Sequence, residues 1–435
     1  MKIAVLRETV SGEHRVAATP ETVTKLIGLG AQVSVETGAG SGSRIPDAAF
    51  TAQGAAIAPT VSAAVHGADL ILTVRRPWAG RLAGANPGAL LIGALDPFGN
   101  DAEISDLARA GITAIAMELM PRITRAQVMD ILSSQANLAG YQAVIEASAH
   151  FDRALPMMMT AAGTVRPAKV FVMGAGVAGL QAIATARRLG AVVSATDVRA
   201  AAGEQVESLG AKFILTEALK DASGVGGYAR ELTLAESEAQ AALVAGHIAK
   251  QDIVITTALI PGRPAPKLLS AEMIETMTSG AIIVDLAAER GGNVELTRPD
   301  EIVEHNGIRI LGFTNLASRI PATASQLYAR NLLAFTETLI DKSTGQLAID
   351  WNDELVRATV LTRDGAVVHP HFAATAAPLA RPQEEEIEAV DRPSEPRQMP
   401  AEAVPQHEPE AQRPAPPHRV PGEPRTTSGE AEGKK

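Results

Sequence analysis

Residues 169–197 read KVFVMGAGVAGLQAIATARRLGAVVSATD and carry the strongest structural signal in the sequence. It opens on a short apolar run, Val170 to Met173, which is typical of a buried strand. An alanine-rich helical stretch and a second apolar run follow. Between the first run and the helix the chain carries the G-x-G-x-x-G pattern, made of Gly174, Gly176 and Gly179. Such glycines permit a tight turn, close approach of the backbone to a pyrophosphate, and close packing of helix on strand. The stretch therefore predicts a dinucleotide-binding unit.

Residues after the first glycine indicate which dinucleotide is preferred. The N-terminus of the helix that follows offers free N–H groups and the positive end of its dipole to the phosphates, and Val177 is a candidate nucleotide contact there. Asp197 lies 23 residues after Gly174, close to the roughly 20 expected for the acid that binds an adenosine ribose. A carboxylate there accepts hydrogen bonds from a 2′-hydroxyl and repels a 2′-phosphate, so NAD(H) is predicted. Arg199 is the opposing signal, because an arginine at that point accommodates a 2′-phosphate.

Composition limits the classes of function. A chain of 435 residues is expected to hold two or three domains. The formal net charge of −10 argues against nucleic acid or an anionic membrane surface as a partner. The absence of cysteine excludes disulfides and thiolate chemistry and suits a reducing cytoplasm. The start, MKIAVLRETV, reads as a strand and not as a signal peptide. No transmembrane segment is predicted.

The order of apolar runs predicts an α/β protein with two Rossmann-like, doubly wound parallel-sheet domains separated by a cleft. The N-terminal α/β domain comprises residues 1–137 and 320–372, because the chain returns to it. Residues 138–319 form the NAD(H)-binding domain. The Pro- and Glu-rich residues 373–435 cannot bury enough apolar surface to fold and are predicted to be a disordered tail.

Individual elements follow from the same patterns. A helix is expected to start at Thr19–Pro20–Glu21, where Thr19 is an N-cap and Pro20 takes the first helical position. Val356–Leu361 and Ala366–Val368 are predicted to form a hairpin around the turn Arg363–Asp364–Gly365. The methionines 157–159 are expected to fill core. Six strands are expected in the second domain, with a polar helix over residues 231–250.

Loops at the carboxyl ends of strands are the expected place for ligands. The loop from Thr256 to Pro264 is such a loop, and its residues Thr257, Ala258 and Leu259 are candidate nucleotide contacts. Asn315 and Arg319 follow the last strand of the nucleotide domain on the same side and are candidates too.

Arg122, Gln127 and Asp130 lie close together in the sequence beside the expected hinge. Gln127 and Asp130 are three residues apart, so a helix would place them on one face. An arginine–carboxylate pair holds a loop rigid while an amide stays available for a ribose or a carboxamide. From the residues alone, the favoured interpretation is an exposed helix start with ordinary caps and salt bridges.

Several segments resemble the NAD(H)-binding component of proton-translocating nicotinamide nucleotide transhydrogenase, and in particular its separate soluble alpha subunit in bacterial three-subunit enzymes. The resemblance extends along nearly all of residues 1–370. It is carried by MELMPRITRAQVMDILSSQANLAGY, PMMMTAAGTVRPAKVFVMGAGVAGLQAIATARRLGA, ATDVRAAAGEQVESLGAKF, TTALIPGRPAP and LTRDGAVVHP.

This resemblance implies roles for particular residues. An Arg-Gln-Asp loop places the nicotinamide for hydride transfer in the family, and it corresponds to Arg122, Gln127 and Asp130, with Ser133 nearby. A mobile loop closes on the nucleotide through a tyrosine, and the sequence GVGGY ending at Tyr228 fits it.

Alanine dehydrogenase has the same two-domain architecture and is the alternative enzyme. Its reaction needs an acid/base His or Lys in the cleft, but the lysine position corresponds to Arg75, and the histidine position falls at or near Leu91. An arginine cannot act as a general base near neutrality. A non-catalytic NAD-binding protein is the third interpretation.

The resemblance also implies partners, since the chain carries one dinucleotide fingerprint and no membrane segment. NADP(H) is then expected on a beta subunit, and proton translocation on membrane subunits that include a small alpha subunit. The chain is expected to form a homodimer on the cytoplasmic face of the inner membrane and to bind no nucleic acid.

Overall fold

The computed structural model describes residues 1–215, 233–260 and 262–373. These residues form two large sheets with helices on their faces, one parallel and one parallel except for an edge strand, so the predicted α/β fold class is confirmed. The tail predicted for residues 373–435 falls, from residue 374 on, outside the described residues. Tyr228 lies outside them as well.

The first sheet has six parallel strands in the order β3-β2-β1-β4-β5-β6. Its strands are β1 Lys2–Val5, β2 Gln32–Glu36, β3 Ala56–Ala58, β4 Leu70–Arg75, β5 Leu90–Ala94 and β6 Thr113–Ala116. The helices among them are α1 Pro20–Gly28, α2 Asp47–Thr51, α3 Val61–Val65 and α4 Asp101–Arg109. Short β3 was not predicted, because three residues rich in alanine give little strand signal.

The first helix begins as its sequence predicts. The Thr19 hydroxyl accepts a hydrogen bond from the Thr22 N–H, the Thr22 hydroxyl accepts one from the Thr19 N–H, and Pro20 follows the cap. This reciprocal pair satisfies donors that a helix start leaves without intrahelical partners.

A long helix, α5 Ile131–His150, leads from the first sheet to the second. A short hairpin follows it, made of β7 Met158–Thr160 and β8 Gly163–Val165. The prediction that the methionines fill core is wrong. Met157 is 61% exposed and Met159 is 80% exposed, because they lie on this projecting hairpin rather than under a sheet.

The second sheet has seven strands in the order β11-β10-β9-β12-β13-β15-β14, all parallel except the edge strand β14. The strands are β9 Lys169–Met173, β10 Val192–Thr196, β11 Lys212–Phe213, β12 Ile253–Thr256, β13 Ile282–Asp285, β14 Ile302–His305 and β15 Ile308–Leu311. The helices are α6 Val177–Arg188, α7 Ala202–Ser208, α8 Leu234–Ile248 and α9 Ala271–Glu275. The seventh strand, β14, was not predicted.

Alternation along the strands gives each sheet a core on both faces. Val170 and Val172 of β9 join one buried cluster, while Phe171 and Met173 join another. Strands buried on both sides read as continuous apolar runs, and this is why the sequence predicts β9 so clearly.

The chain then returns to the first sheet. The elements are α10 Pro321–Thr336, β16 Ile340–Asp341, β17 Gln346–Leu347, α11 Glu354–Thr359, β18 Thr362–Arg363, β19 Ala366–Val367 and α12 Pro370–Ala373. Tyr328 of α10 is buried, and its hydroxyl accepts a hydrogen bond from the Ala94 N–H at 2.9 Å. Helix α10 thus covers one face of the first sheet.

The hairpin predicted after this helix is only partly right. Asp364 and Gly365 have φ of 50° and 79° and form the turn between β18 and β19. Residues 354–359 are helical, however, and not a strand. Asp353 caps this helix by accepting from the Leu355 N–H at 2.7 Å, and Leu355, Val356 and Thr359 are its buried side.

Candidate functional site

The switch point of the second sheet, where strand order reverses, lies between β9 and β12. Ligands of doubly wound sheets bind at the carboxyl ends of strands at this point. Gly174 directly follows β9 and Thr257 directly follows β12, and the Thr257 hydroxyl donates to the Gly174 carbonyl oxygen at 3.1 Å. The predicted glycine loop and strand-end loop therefore meet at the expected place.

Each glycine of the loop has a distinct environment. Gly174 has φ of 102°, and a Cβ there would lie 2.4 Å from the Thr257 hydroxyl oxygen. A Cβ on Gly179 would lie 1.8 Å from the Gly174 carbonyl oxygen. Gly176, by contrast, has open space around it and precedes helix α6, which lacks a side-chain cap. The loop thus leaves room for a ligand above Gly176 and the first N–H groups of the helix.

The acid Asp197 closes one side of this loop. It is 7% exposed, and its Oδ2 accepts a hydrogen bond from the Ala175 N–H at 2.7 Å. Arg199 forms a two-point ion pair with it, donating from Nε to Oδ1 and from Nη2 to Oδ2, both at 2.8 Å. Arg199, whose place in the sequence is a signal for a 2′-phosphate, therefore binds Asp197, the acid predicted to contact the ribose. The hydrogen bonds to Asp197 raise the pKa of Arg199.

Ala258 and Leu259 extend the site along the loop after β12. The buried Asn293 side chain accepts from the Ala258 N–H at 3.0 Å and donates to the Ala258 carbonyl oxygen at 2.8 Å. Leu259 is 44% exposed. Asn293 was not predicted, since no local pattern distinguishes an asparagine that braces a distant loop.

The Arg-Gln-Asp segment lies at the start of α5. Residues Thr124–Met129 form a 3₁₀ helix, and Asp130 is the N-cap of α5 rather than a residue of the same helix as Gln127. The Asp130 carboxylate accepts from the Ser133 N–H at 2.9 Å and from the Ser133 hydroxyl at 2.6 Å. Arg122 and Gln127 are exposed.

Two contacts anchor this segment to the returning chain. Arg125 forms a two-point ion pair with Asp353 at 2.7 and 2.8 Å. Asn331 of α10 donates to the Val128 carbonyl oxygen at 2.8 Å. The exposed Gln127 amide therefore projects from a fixed backbone.

Helix α5 connects this segment to the dinucleotide loop. A Cβ on Gly140 would lie 2.0 Å from the carbonyl oxygen of Ala178, in the first turn of α6. Ser133 lies seven residues earlier, about 10 Å along the helix axis. The two candidate regions are thus held at opposite ends of one rigid stretch.

The switch point of the first sheet, between β1 and β4, is filled by the chain itself. The Glu8 carboxylate accepts from the Val74 N–H at 2.7 Å and the Arg75 N–H at 3.2 Å. Burial raises the pKa of Glu8 to about 7, against the opposing effect of these hydrogen bonds. The Glu8 side chain, which is partly buried, therefore occupies the carboxyl end of β4 in the first sheet.

Glu13 is the centre of a charged network beside this point. Burial by itself would raise the pKa of Glu13, but hydrogen bonds and charge from Arg15, with further charge from Arg75, lower it to about 2. The predicted nucleotide contact Asn315 donates from its side chain to Glu13 Oε2 at 2.8 Å. Arg319 forms an ion pair with Glu146 at 2.5 Å.

The sequence resemblance indicates Arg75 for the lysine position of alanine dehydrogenase and a residue at or near Leu91 for its histidine position. Arg75 donates to Glu13 at 3.1 Å and to Glu289 at 3.2 Å. Leu91 is fully buried in the core of the first sheet. His66 lies before β4, at the opposite end of that strand from Arg75, and the six residues of the strand alone span about 17 Å.

Groups of three or more potential metal ligands are absent from the residues that the structure describes. None of the helices traced there is long and apolar enough to cross a membrane.

Comparison with known proteins gives matches along the same residues. The family model "Alanine dehydrogenase/PNT, N-terminal domain" matches residues 4–139, and "Alanine dehydrogenase/PNT, C-terminal domain" matches residues 143–370. A protein of Rhodospirillum rubrum, named as the first of the separate pieces of NAD(P) transhydrogenase subunit alpha, is 54% identical over 377 residues, which cover 85% of this chain and 98% of the relative.

Two further matches bear on the choice between the enzymes. A crystal structure of transhydrogenase from Sinorhizobium meliloti has a TM-score of 0.78 and 57% identity, covering 85% of this chain and 100% of the other. Alanine dehydrogenase of Halomonas elongata is 30% identical over 377 residues, which cover 85% of this chain and 95% of the relative.

Proposed function

The chain belongs to the alanine dehydrogenase/PNT family, and from that premise we propose that it is the NAD(H)-binding subunit of a proton-translocating NAD(P) transhydrogenase. Its reaction is direct hydride transfer between NAD(H) held by this chain and NADP(H) held by a partner subunit. Proton translocation belongs to membrane subunits of the same complex. The proposed domains keep the predicted bounds, residues 1–137 with 320–372 and residues 138–319.

The observation that carries the proposal is the assembly at the switch point of the second sheet. Gly176 and the uncapped start of α6 leave backbone N–H groups for a pyrophosphate. Asp197 stands beside them for the adenosine ribose. Thr257, Ala258 and Leu259 border the other side, and Val177 is the first residue of the helix.

The environment of Arg75, at the carboxyl end of β4 in the first sheet, favours transhydrogenation over amino-acid oxidation. An amino-acid dehydrogenase moves a proton as well as a hydride, and alanine dehydrogenase uses an acid/base His or Lys in the cleft for this step. Arg75 is held between two carboxylates, and its pKa is raised by the charges of Glu289 and Glu13 despite burial. Transfer between two nicotinamides needs no protein acid or base, and the residues around it have only to position the rings and exclude water.

Positioning is the proposed role of Arg122, Gln127, Asp130 and Ser133. The bonds between Asp130 and Ser133 fix the first turn of α5, and the anchored backbone presents the Gln127 amide to the nicotinamide carboxamide. NAD(H) supplies or accepts the hydride at its ring.

The proposal includes a homodimer, an NADP(H)-binding beta subunit, a small membrane alpha subunit, and a place on the cytoplasmic face of the inner membrane. The names of the relatives, which are alpha subunits, support the partner subunits. The methionines at the β7–β8 hairpin are exposed, and an exposed apolar patch of this kind is typical of a surface that another protein covers. This supports the homodimer, in which a second copy of the chain would cover them.

An assay with the purified chain tests the proposal. Reduction of an acetylpyridine analogue of NAD is followed with cycling NADP(H), with and without an NADP(H)-binding subunit, and pyruvate plus ammonium is run in parallel. The expected result is analogue reduction that requires the partner, with no turnover of pyruvate. Reductive amination without the partner would assign the chain to the amino-acid dehydrogenases, and NADH binding with neither activity would make it a binding protein.

A further inference from the structure

Asp197 receives four hydrogen bonds from described residues of its own chain. Its Oδ1 accepts from the Arg199 N–H and from Arg199 Nε, both at 2.8 Å. Its Oδ2 accepts from the Ala175 N–H at 2.7 Å and from Arg199 Nη2 at 2.8 Å. An ionised carboxylate offers about four lone-pair sites. A ribose hydroxyl therefore meets an acid whose acceptor positions are already taken.

Only the guanidinium among these donors can move without unfolding the loop. The Ala175 N–H is fixed by the glycine turn, since the neighbouring Gly174 N–H donates to the Thr196 carbonyl oxygen at 2.8 Å. The Arg199 N–H belongs to the same backbone as the acid. The guanidinium, in contrast, is at the end of a flexible stem, and the Arg199 side chain is 23% exposed against 7% for Asp197.

We propose that the Arg199 guanidinium competes with the adenosine ribose for the Asp197 carboxylate, and that Arg199 thereby determines how strictly this site selects a nucleotide with a free 2′-hydroxyl. The inference rests on the NAD(H)-binding function proposed above and adds a specificity residue to it. Arg199 has opposite effects on the affinities for NAD(H) and for NADP(H).

For NAD(H), the arginine lowers affinity. The carboxylate is available to the ribose only in the fraction of molecules whose guanidinium has moved away, and apparent affinity falls by that fraction. For a 2′-phosphate, the arginine raises affinity. It neutralises the charge of Asp197, and once displaced it can bind the phosphate through two parallel hydrogen bonds.

The substitution Arg199→Met tests this, because methionine keeps most of the stem and removes the fork and the charge. Dissociation constants for NADH and NADPH are measured on the full chain at fixed ionic strength. Arg188→Met, at an exposed arginine in the last turn of α6, is the control for the loss of one positive charge. Arg199→Lys keeps the charge without the planar fork.

We expect Arg199→Met to bind NADH about threefold or more tightly and NADPH about threefold or more weakly, so that the preference for NADH rises on the order of tenfold. Arg199→Lys should also tighten NADH binding, and Arg188→Met should leave the preference unchanged. Weaker NADH binding by both Arg199 variants, at unchanged melting temperature, would overturn the inference and make Arg199 a direct ligand. An unchanged preference would overturn it as well. Wild-type protein that binds neither nucleotide would refute the proposed function itself.

Discussion

Gly140 of α5 and Ala178 of α6 touch so closely that a Cβ on Gly140 would lie 2.0 Å from the Ala178 carbonyl oxygen. This contact joins the helix that carries the Arg-Gln-Asp segment to the helix whose N-terminus forms the dinucleotide loop. It makes the relative position of the two candidate regions depend on one glycine.

Replacing Gly140 by alanine is expected to move α6 and to destabilise the protein by about 1–3 kcal/mol, the usual range for an overpacked contact. NADH affinity should fall with it, since the loop and the start of α6 move together. Gly246→Ala is the matched control, because Gly246 lies within α8 with open space around it. That substitution should stabilise the protein by about 0.5–1 kcal/mol. Equal effects of the two variants in urea denaturation would show that the close contact has no energetic role.

Gln127→Ala is expected to slow hydride transfer about 10- to 100-fold, the scale associated with misplacing reacting groups. Stability should not change, because the Gln127 side chain is exposed. Single-turnover mixing with the partner subunit measures the rate, and thermal unfolding measures the stability. Gln53→Ala, at an exposed amide that follows α2, should leave both unchanged. A wild-type rate in the Gln127 variant would remove this residue from the catalytic segment.

Glu13→Gln is expected to cost about 3–5 kcal/mol of stability, because it leaves the buried Arg15 without its carboxylate. Glu289→Gln removes the 49%-exposed partner of Arg75 and should cost less than about 1 kcal/mol. The pKa of Glu13 is lowered from 4.5 to about 2, so its stabilisation is complete above about pH 4.5 and is lost as pH falls towards 2. Denaturant unfolding of both variants tests the ranking, and comparable losses would contradict it.

Glu118→Gln is expected to flatten the dependence of stability on pH. Burial raises the pKa of Glu118 from 4.5 to about 7, and its Oε2 has no hydrogen-bond partner among the described residues. The folded chain therefore keeps a proton on Glu118 that the unfolded chain releases near pH 4.5. Stability falls as pH rises from about 4.5 to 7 for this reason.

Melting temperatures at pH 5 and pH 8 check this expectation. The wild type should lose more stability between the two values than Glu118→Gln, which has no carboxyl group to ionise. Glu103→Gln, at an exposed position of α4, should behave like the wild type. Parallel profiles for the wild type and Glu118→Gln would contradict the assignment of a protonated buried acid.

The sequence predicts the structure best where several local signals agree. Around β9, α6 and β10, the apolar runs, the glycine spacing and Asp197 all indicate one strand–loop–helix–strand unit. Where a short apolar run stands alone, periodicity cannot distinguish its possible structures. Residues 356–359 lie in a predicted strand and are helical, and Met159 is predicted to be core and is exposed.

Local patterns do not predict the charged network. Glu13 and Asn315 form a hydrogen bond although they are 302 residues apart in the sequence. Asn293 likewise forms hydrogen bonds with Ala258, which lies in a different loop. One signal was available, since Glu8 and Glu13 follow β1 at its carboxyl end, where ligands of such sheets collect. The ion pair between Arg199 and Asp197 could not be predicted from the sequence either, because both residues are visible there but their contact is seen only in the structure.

Transfer of a labelled hydride from NADPH to the nucleotide on this chain is the decisive test of the proposed transhydrogenase function. NADPH deuterated at the transferable C4 position is mixed with this chain, the NADP(H)-binding subunit and oxidised acetylpyridine analogue, and the reduced analogue is examined by mass spectrometry. If the hydride passes directly between the two nicotinamides, the reduced analogue carries the deuterium, with none lost to water, and its formation requires both proteins. Failure of the deuterium to reach the analogue, under conditions in which this chain binds NADH and the partner binds NADPH, would rule out direct hydride transfer by this chain.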